Sequence, residues 1–345
     1  MTSAKSVLPR VQELLDHVYS PFTGTSWIPR PFSGRNGRYL WSDAFGVCGY
    51  ISLFYANNRD TKYLDQADHL IGAVHNDLGR SRQPPHARLG EATDDRPTLG
   101  GLRIGKEEEQ DDGQYFHYLT KWMFALNRMS VARNDPVYNN WAVDLARVAH
   151  SKFVIRGLGG RPLRMIWKLS VDLQHATITS EGNLDPFDGL VTFLLLQRHS
   201  TDKSVLQDEI ADMMRLVDRK LPTFATFDAL DSGEALWLAQ WFIDQPWSKE
   251  LHRIALSSVD RLFRSGRFDF PAAYRLMFRE MGTILGLKVA MPSIHDESGQ
   301  WHARVDKVMA FWAANVYSRD EDITPLMYAA ALHPGVWDPR GQVHP

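Results

Sequence analysis

Residues 40–78 read LWSDAFGVCGYISLFYA, then NNRD, then TKYLDQADHLIGAVHNDL. The first stretch, Leu40 to Ala56, carries one charged side chain, Asp43. A helix that is apolar all round is buried on all sides. The last stretch differs. At helical spacing, Tyr63, Ala67, Leu70, Ile71, Val74 and Leu78 fall on one face, and Asp65, Asp68 and Asp77 fall off it. That pattern predicts a helix with one wet side. A buried helix, a four-residue polar turn and a half-wet helix make an antiparallel hairpin.

The unit recurs. Asp60-x-x-Tyr63-x-x-x-Ala67-x-x-Leu70-x-x-x-x-His75 matches Asp135-x-x-Tyr138-x-x-x-Ala142-x-x-Leu145-x-x-x-x-His150. Each copy follows a short polar turn, and so do the runs after His199-Ser200-Thr201 and Asp244-Gln245-Pro246. Asp60, Asp135 and Asp202 are placed as helix N-caps, whose carboxylates accept the first free amide hydrogens. Buried helices are expected to start near Leu40, Gly113, Leu184, Asp231, Pro271 and Thr324. Wet helices are expected at Leu8–Tyr19, Asp60–Leu78, Pro136–Phe153, Asp202–Arg219, Ser248–Phe263 and His302–Tyr317. Twelve alternating helices predict an all-α fold, an (α/α)6 toroid of six helical hairpins, occupying residues 1–345 as one domain. An open solenoid is the competing arrangement. Six units without polar capping helices favour closure.

Bulk composition agrees. The 345 residues are 44% hydrophobic and 23% charged, enough apolar surface for a large core. The formal net charge is −2, so no strong field favours nucleic acid or an anionic membrane surface as a partner. The lone cysteine, Cys48, excludes an internal disulfide and a thiolate zinc site. The N-terminus lacks a signal-peptide pattern, and no window approaches the roughly 18 apolar residues of a membrane span. A cytoplasmic protein is the expectation.

The connections are unequal. Short turns lie on one side. Pro21–Tyr39, Gly79–Asp112 and Arg156–Asn183 form long loops on the other, each preceding a buried helix, and a further long loop, Ala290–Trp301, precedes the last wet helix. Loops that long in a compact domain are usually functional. Arg161–Asp172 carries a strand-like run that predicts a short β-hairpin on the rim. The N-terminal ends of the inner helices therefore share one face, and acids gather there: Asp43, Asp111, Asp112, Asp185, Asp188, Asp231 and Glu234. Paired carboxyls, one protonated and one ionised, are what glycosidic cleavage requires. Crowding drives their pKa values apart.

The helix count, with DDGQYFHYLTKWMFAL (residues 111–126) and LDPFDGLVTFLLLQ (184–197), resembles the six-hairpin glycosidase superfamily. That group includes unsaturated glucuronyl and rhamnogalacturonyl hydrolases; N-acylglucosamine 2-epimerases share its toroid. The resemblance implies a carbohydrate-active enzyme, with key aspartates at the starts of the second and third inner helices. Here these correspond to Asp188 as general acid/base and Asp112 as its partner, with Asp111 and Asp185 as the neighbouring alternatives. Asp43, His117 and Glu234 are supporting candidates. Trp41, Tyr115, Trp167, Lys168, Arg103 and His295 are substrate-binding candidates, the aromatics to lie under a sugar and the cations to meet a carboxylate. Epimerase chemistry would draw its proton-exchanging pair from His117 and His295. His75 and His150, on the wet helices, are read as structural. The expected partner is a small-molecule or oligosaccharide substrate, with no metal and no cofactor. Two other classes compete. A terpenoid cyclase would use the acidic run Glu107–Asp112 to hold metal, and a toroid can also serve as a non-catalytic binding protein.

Overall fold

In the computed structural model, residues 4–31, 37–106, 108–318 and 320–341 are described. Among them run twelve α-helices: α1 (Ala4–Tyr19), α2 (Leu40–Ala56), α3 (Lys62–Asp77), α4 (Phe116–Arg133), α5 (Pro136–Phe153), α6 (Asp185–His199), α7 (Gln207–Lys220), α8 (Ala229–Gln240), α9 (Pro246–Arg264), α10 (Met277–Ala290), α11 (Gln300–Ala313) and α12 (Thr324–Leu332). The even-numbered helices are the predicted buried set. Each packs on the next, α2 on α4, α4 on α6, α6 on α8, α8 on α10 and α10 on α12, and α12 returns to α2. That last contact closes the ring and rules out the open solenoid. Five hairpins form in chain order; the sixth pairs α12 with α1. The fold is an (α/α)6 toroid.

Burial follows the sequence pattern. In α2, Leu40 through Cys48 are all buried, whereas α3 buries Tyr63, Ala67, Leu70, Ile71 and Val74 and exposes Asp68. The apolar side chains join in one hydrophobic core. Trp337, past the end of α12, drives into the ring from the C-terminal segment. It stacks on Phe45 of α2 (centroids 4.5 Å apart) and Phe124 of α4 (4.8 Å), and tilts against Trp237 of α8 (5.4 Å). Offset and tilted aromatic pairs add to the area they bury, so this cluster fills the axis below the level of the site. Among the described residues, no helix is long and apolar enough to cross a membrane.

The helix starts show where local rules compete. Asp135 caps α5, its Oδ1 accepting from the Val137 amide at 3.0 Å ahead of Pro136 in the first turn. Asp60 likewise accepts from the Lys62 amide at 3.1 Å. Asp202 instead caps the turn before α7: it accepts from the Ser204 amide at 2.8 Å, and the helix begins only at Gln207. The second inner helix starts at Phe116 rather than Gly113, because Gln114–Tyr115 (β1) is drawn into pairing with a rim strand. The fifth starts at Met277 rather than Pro271, after a 3-10 turn at Ala272–Tyr274.

The rim strands resolve into two small antiparallel sheets. The hairpin expected within Arg161–Asp172 does not close on itself: Pro162–Met165 (β3) pairs back with Val154–Arg156 (β2), and Lys168–Leu169 (β4) crosses to β1, pairing Gln114 with Leu169 and Tyr115 with Lys168. This crossing ties the long loop before α6 to the start of α4.

Helices α8 and α10 approach one another closely. A Cβ at Gly233 would stand 2.1 Å from the Gly282 carbonyl oxygen, and one at Gly286 would stand 2.1 Å from that of Gly233. The two backbones meet with no room for a side chain. Gly233→Ala is expected to destabilise the fold by about 1–3 kcal/mol through overpacking, read as a lowered urea midpoint at unchanged slope. An unaltered midpoint would show that the helices can part without cost.

Candidate functional site

The N-terminal ends of the inner helices surround a cavity of about 530 Å³. Trp41 of α2, His117 of α4, Asp185 of α6, Asp231 and Glu234 of α8 and Phe278 of α10 all line it, and Ile323 stands just ahead of α12. Every inner helix therefore contributes at its N-terminal end, where the dipole favours negative charge. Trp167, on the segment joining β3 to β4, completes an aromatic wall. Tyr115 packs behind it, edge-on at 5.1 Å, and Trp41 meets Tyr118 at 5.4 Å.

Below the cavity lies Lys121, 2% exposed in its side chain. Its ammonium meets both oxygens of Asp188 at 2.6 Å and forms a further ion pair with Glu234. Thr120 Oγ1 lies 2.6 Å from Asp188 Oδ2 and donates to it. Burial alone would lower the Lys121 pKa, but Asp188 and Glu234 outweigh it and raise it. One ammonium cannot balance every carboxyl around it. Burial pushes Glu234 up to about 8, with Asp188 adding repulsion against the pull of Lys121. Burial also holds Asp185 well above the ordinary carboxylate range, again reinforced by Asp188. Asp185 Oδ2 is buried without a hydrogen-bond partner, and Oδ1 stands 3.7 Å from His117 Nδ1. The site thus holds at least one protonated carboxyl at neutral pH. His117 is held down to about 3 by burial and then by the Lys121 charge, so it stays neutral. Asp231 is also raised, by burial and then by the Asp228 charge, against the opposing pull of Asn183, of Thr226 with its Oγ1 at 3.3 Å, and of Arg279.

The structure sorts the sequence candidates. Trp41, His117, Asp185, Glu234 and Trp167 come together around the cavity. Asp188 lies one turn deeper, beneath it. Asp112 does not join Asp188. Its carboxylate accepts the amides of Gly105 (3.0 Å), Lys106 (3.4 Å) and Gly113 (3.0 Å) and pairs with Arg82 (3.1 Å) and Arg103 (3.3 Å). With α4 starting at Phe116, Asp112 precedes the strand β1 and pins the long loop rather than facing the axis. Arg103 is spent on the same clasp and on Asp77. Asp111 is exposed. Asp43 is buried against Arg38 at 3.3 Å, its pKa lifted by burial to about 6, outside the cavity lining. Lys168 lies over the Tyr115 ring at 5.2 Å, behind the wall. His295 is 85% exposed beside Glu297, far from an epimerase-type base facing His117. Of the acidic run, Glu107 lies outside the described residues. His75 is buried and neutral, accepting from the Trp122 indole at 3.1 Å, and His150 sits 3.2 Å from Asp212. Lys121 escaped sequence reasoning. The available signal was a lone lysine inside the apolar stretch 115–126, which only buried carboxylates can hold in place.

No family model matches the chain, and no curated protein matches it in sequence. Solved structures do match in shape. A family 76 glycoside hydrolase from a bovine Bacteroides thetaiotaomicron strain superposes with TM-score 0.63 at 11% identity, over 99% of this chain and 78% of its own. A D-mannose isomerase superposes with TM-score 0.61 at 10% identity, over 96% and 98%. A cellobiose 2-epimerase from Spirochaeta thermophila gives 0.59 at 11% identity, over 97% and 99%. The chain shares the (α/α)6 toroid of these structures.

Glu234 makes the buried cluster measurable. The folded state holds its proton up to about 8, whereas an ordinary glutamate releases it near 4.5. Between those values the unfolded chain binds fewer protons, so this group's contribution to stability falls as pH rises. Urea midpoints of the wild type and Glu234→Gln should diverge across that window, the wild type losing stability relative to the variant toward pH 8. Parallel pH profiles would place the proton elsewhere.

Proposed function

We propose that the protein is a carbohydrate-active enzyme, a glycoside hydrolase that cleaves a small oligosaccharide or glycoside at the central cavity. The observation that carries the reading is Asp185, a cavity-lining carboxyl whose pKa burial raises well above the ordinary carboxylate range, with one oxygen unpartnered. A general acid for glycosidic cleavage needs a raised pKa. In this scheme Asp185 protonates the leaving oxygen, and the bond between it and the anomeric carbon breaks as positive charge develops on the ring. Asp231, on the neighbouring helix, serves as the ionised partner that directs water or stabilises that charge. Each helps the other, since an ionised Asp231 favours the proton on Asp185. Trp41 and Trp167 offer faces for the sugar. Lys121 and Asp188 act from beneath, fixing the charge of the floor; the acid role shifts from Asp188 to Asp185 because Asp188 is committed to the ammonium.

A second reading has its own support. His117 is a neutral imidazole in the cavity wall, so proton exchange at the carbon next to a sugar carbonyl, as in an isomerase or epimerase, has a candidate base. A pKa near 3 makes that base weak, and among the described lining residues it is the one histidine.

Asp185→Asn should lower turnover by about 10²–10⁴-fold at unchanged unfolding midpoint. The assay is release of reducing ends in a screen of oligosaccharides and aryl glycosides. Full activity of the variant would remove Asp185 from the role. Incorporation of solvent deuterium into free aldoses, without glycoside cleavage, would select the isomerase reading instead.

A further inference from the structure

A second cavity, of about 560 Å³, opens beside the start of α10. Its walls are apolar: Ala229, Phe270, Pro271, Leu276 and the ring of Tyr274. Among the described residues seven large apolar side chains are exposed, and three of them, Phe270 (52%), Tyr274 (80%) and Leu276, stand in this one wall. Scattered apolar side chains on a surface need no explanation, but a cluster around a concavity marks a binding site. The polar groups lining the cavity are spent elsewhere. Arg275 and Glu280, both buried, meet in a fork, Nε to Oε1 at 2.8 Å and Nη2 to Oε2 at 2.6 Å, and the Trp312 indole donates to Oε2 at 2.7 Å. Their charges cancel, and the Arg275 guanidinium stands 3.9 Å over the Phe311 ring. Arg267 is exposed to water.

Arg279 connects this cavity to the central one, since it lines both. Its guanidinium pairs with Asp228, the N-cap of α8, while its Nε is buried without a hydrogen-bond partner. A buried donor left unpaired is costly, and a substrate oxygen at the junction would satisfy it. A group continuing past that oxygen would meet Phe270, Tyr274 and Leu276. A second sugar ring would bring several hydroxyls against walls that offer few free partners, and each one left unpaired costs free energy. An aryl or alkyl group has no such need, and its burial takes exposed apolar surface out of water.

We propose that the substrate is a glycoside bearing an apolar group, aryl or alkyl, which this cavity holds while Arg279 Nε donates to the oxygen between the two parts. The inference rests on the carbohydrate reading above and names its substrate class. Calorimetric titration of the full chain with methyl, phenyl and octyl glycosides of glucose, galactose and mannose tests it. For a sugar that binds, the phenyl or octyl glycoside should bind about tenfold tighter than the methyl one, the effect of burying part of an apolar group. Phe270→Ala and Tyr274→Ala should each remove most of that preference and leave methyl glycoside affinity unchanged. Both side chains are exposed, so the unfolding midpoint should hold. Equal binding of methyl, phenyl and octyl glycosides, or an undiminished preference in both variants, overturns the proposal. A disaccharide that binds more tightly than the phenyl glycoside of the same sugar overturns it in favour of a second sugar. A wild type that sediments as a dimer, with Tyr274→Ala a monomer, overturns it in favour of a second copy of the chain. Should no glycoside bind, the proposal falls with the carbohydrate reading. Benzyl alcohol titrated alone then separates the two failures: saturable binding that Phe270→Ala abolishes would leave the apolar cavity standing, and its absence would remove the cavity as well.

Discussion

The ammonium of Lys121, buried between Asp188 and Glu234, is the interaction on which the site depends. It joins α4, α6 and α8 near the axis of the ring. Transferring one lysine and several carboxyls out of water is costly, and the cost is met only by close pairing and added hydrogen bonds. Asp188 receives both, from the ammonium and from Thr120. Glu234 and Asp185 receive less, and burial raises their pKa values instead. Charge scarcity in the floor thus favours the proton on the acid in the wall above it.

Closure of the ring makes that arrangement possible. Six inner helices point their N-terminal ends to one face, and the aromatic cluster around Trp337 fills the axis below Lys121. Water therefore reaches the carboxyls from one direction. The long loops and the strand pairing of β1 with β4 build the rim. Asp112, which resembles a site aspartate in its local sequence, is consumed in fastening that rim.

Similar rings carry a glycoside hydrolase, a mannose isomerase and a cellobiose epimerase. At 10–11% identity the likeness speaks to the fold alone, and function has to be argued from the side chains in the cavity. There the carboxyls outnumber the histidines, which is the chemical ground for preferring acid-assisted cleavage over proton exchange.

Much of this was legible in the residues themselves. Apolar runs such as Leu40–Ala56 can be satisfied only by burial on all sides, and half-polar runs such as Asp60–Leu78 only by one wet face, so periodicity determined the helices, their inner or outer place and the face bearing the acids. Trp41, His117, Asp185 and Glu234 followed from their position at inner-helix starts. Tertiary structure alone decided which acid faces the cavity. Asp185 and Asp188 are separated by less than one helical turn in sequence, and Asp111 and Asp112 by nothing, yet each pair divides between unlike environments. Local spacing sets the direction in which a side chain leaves its helix. The partner that meets it, an ammonium from α4 or an arginine from a distant loop, depends on how the ring closes, and that partner decides its charge.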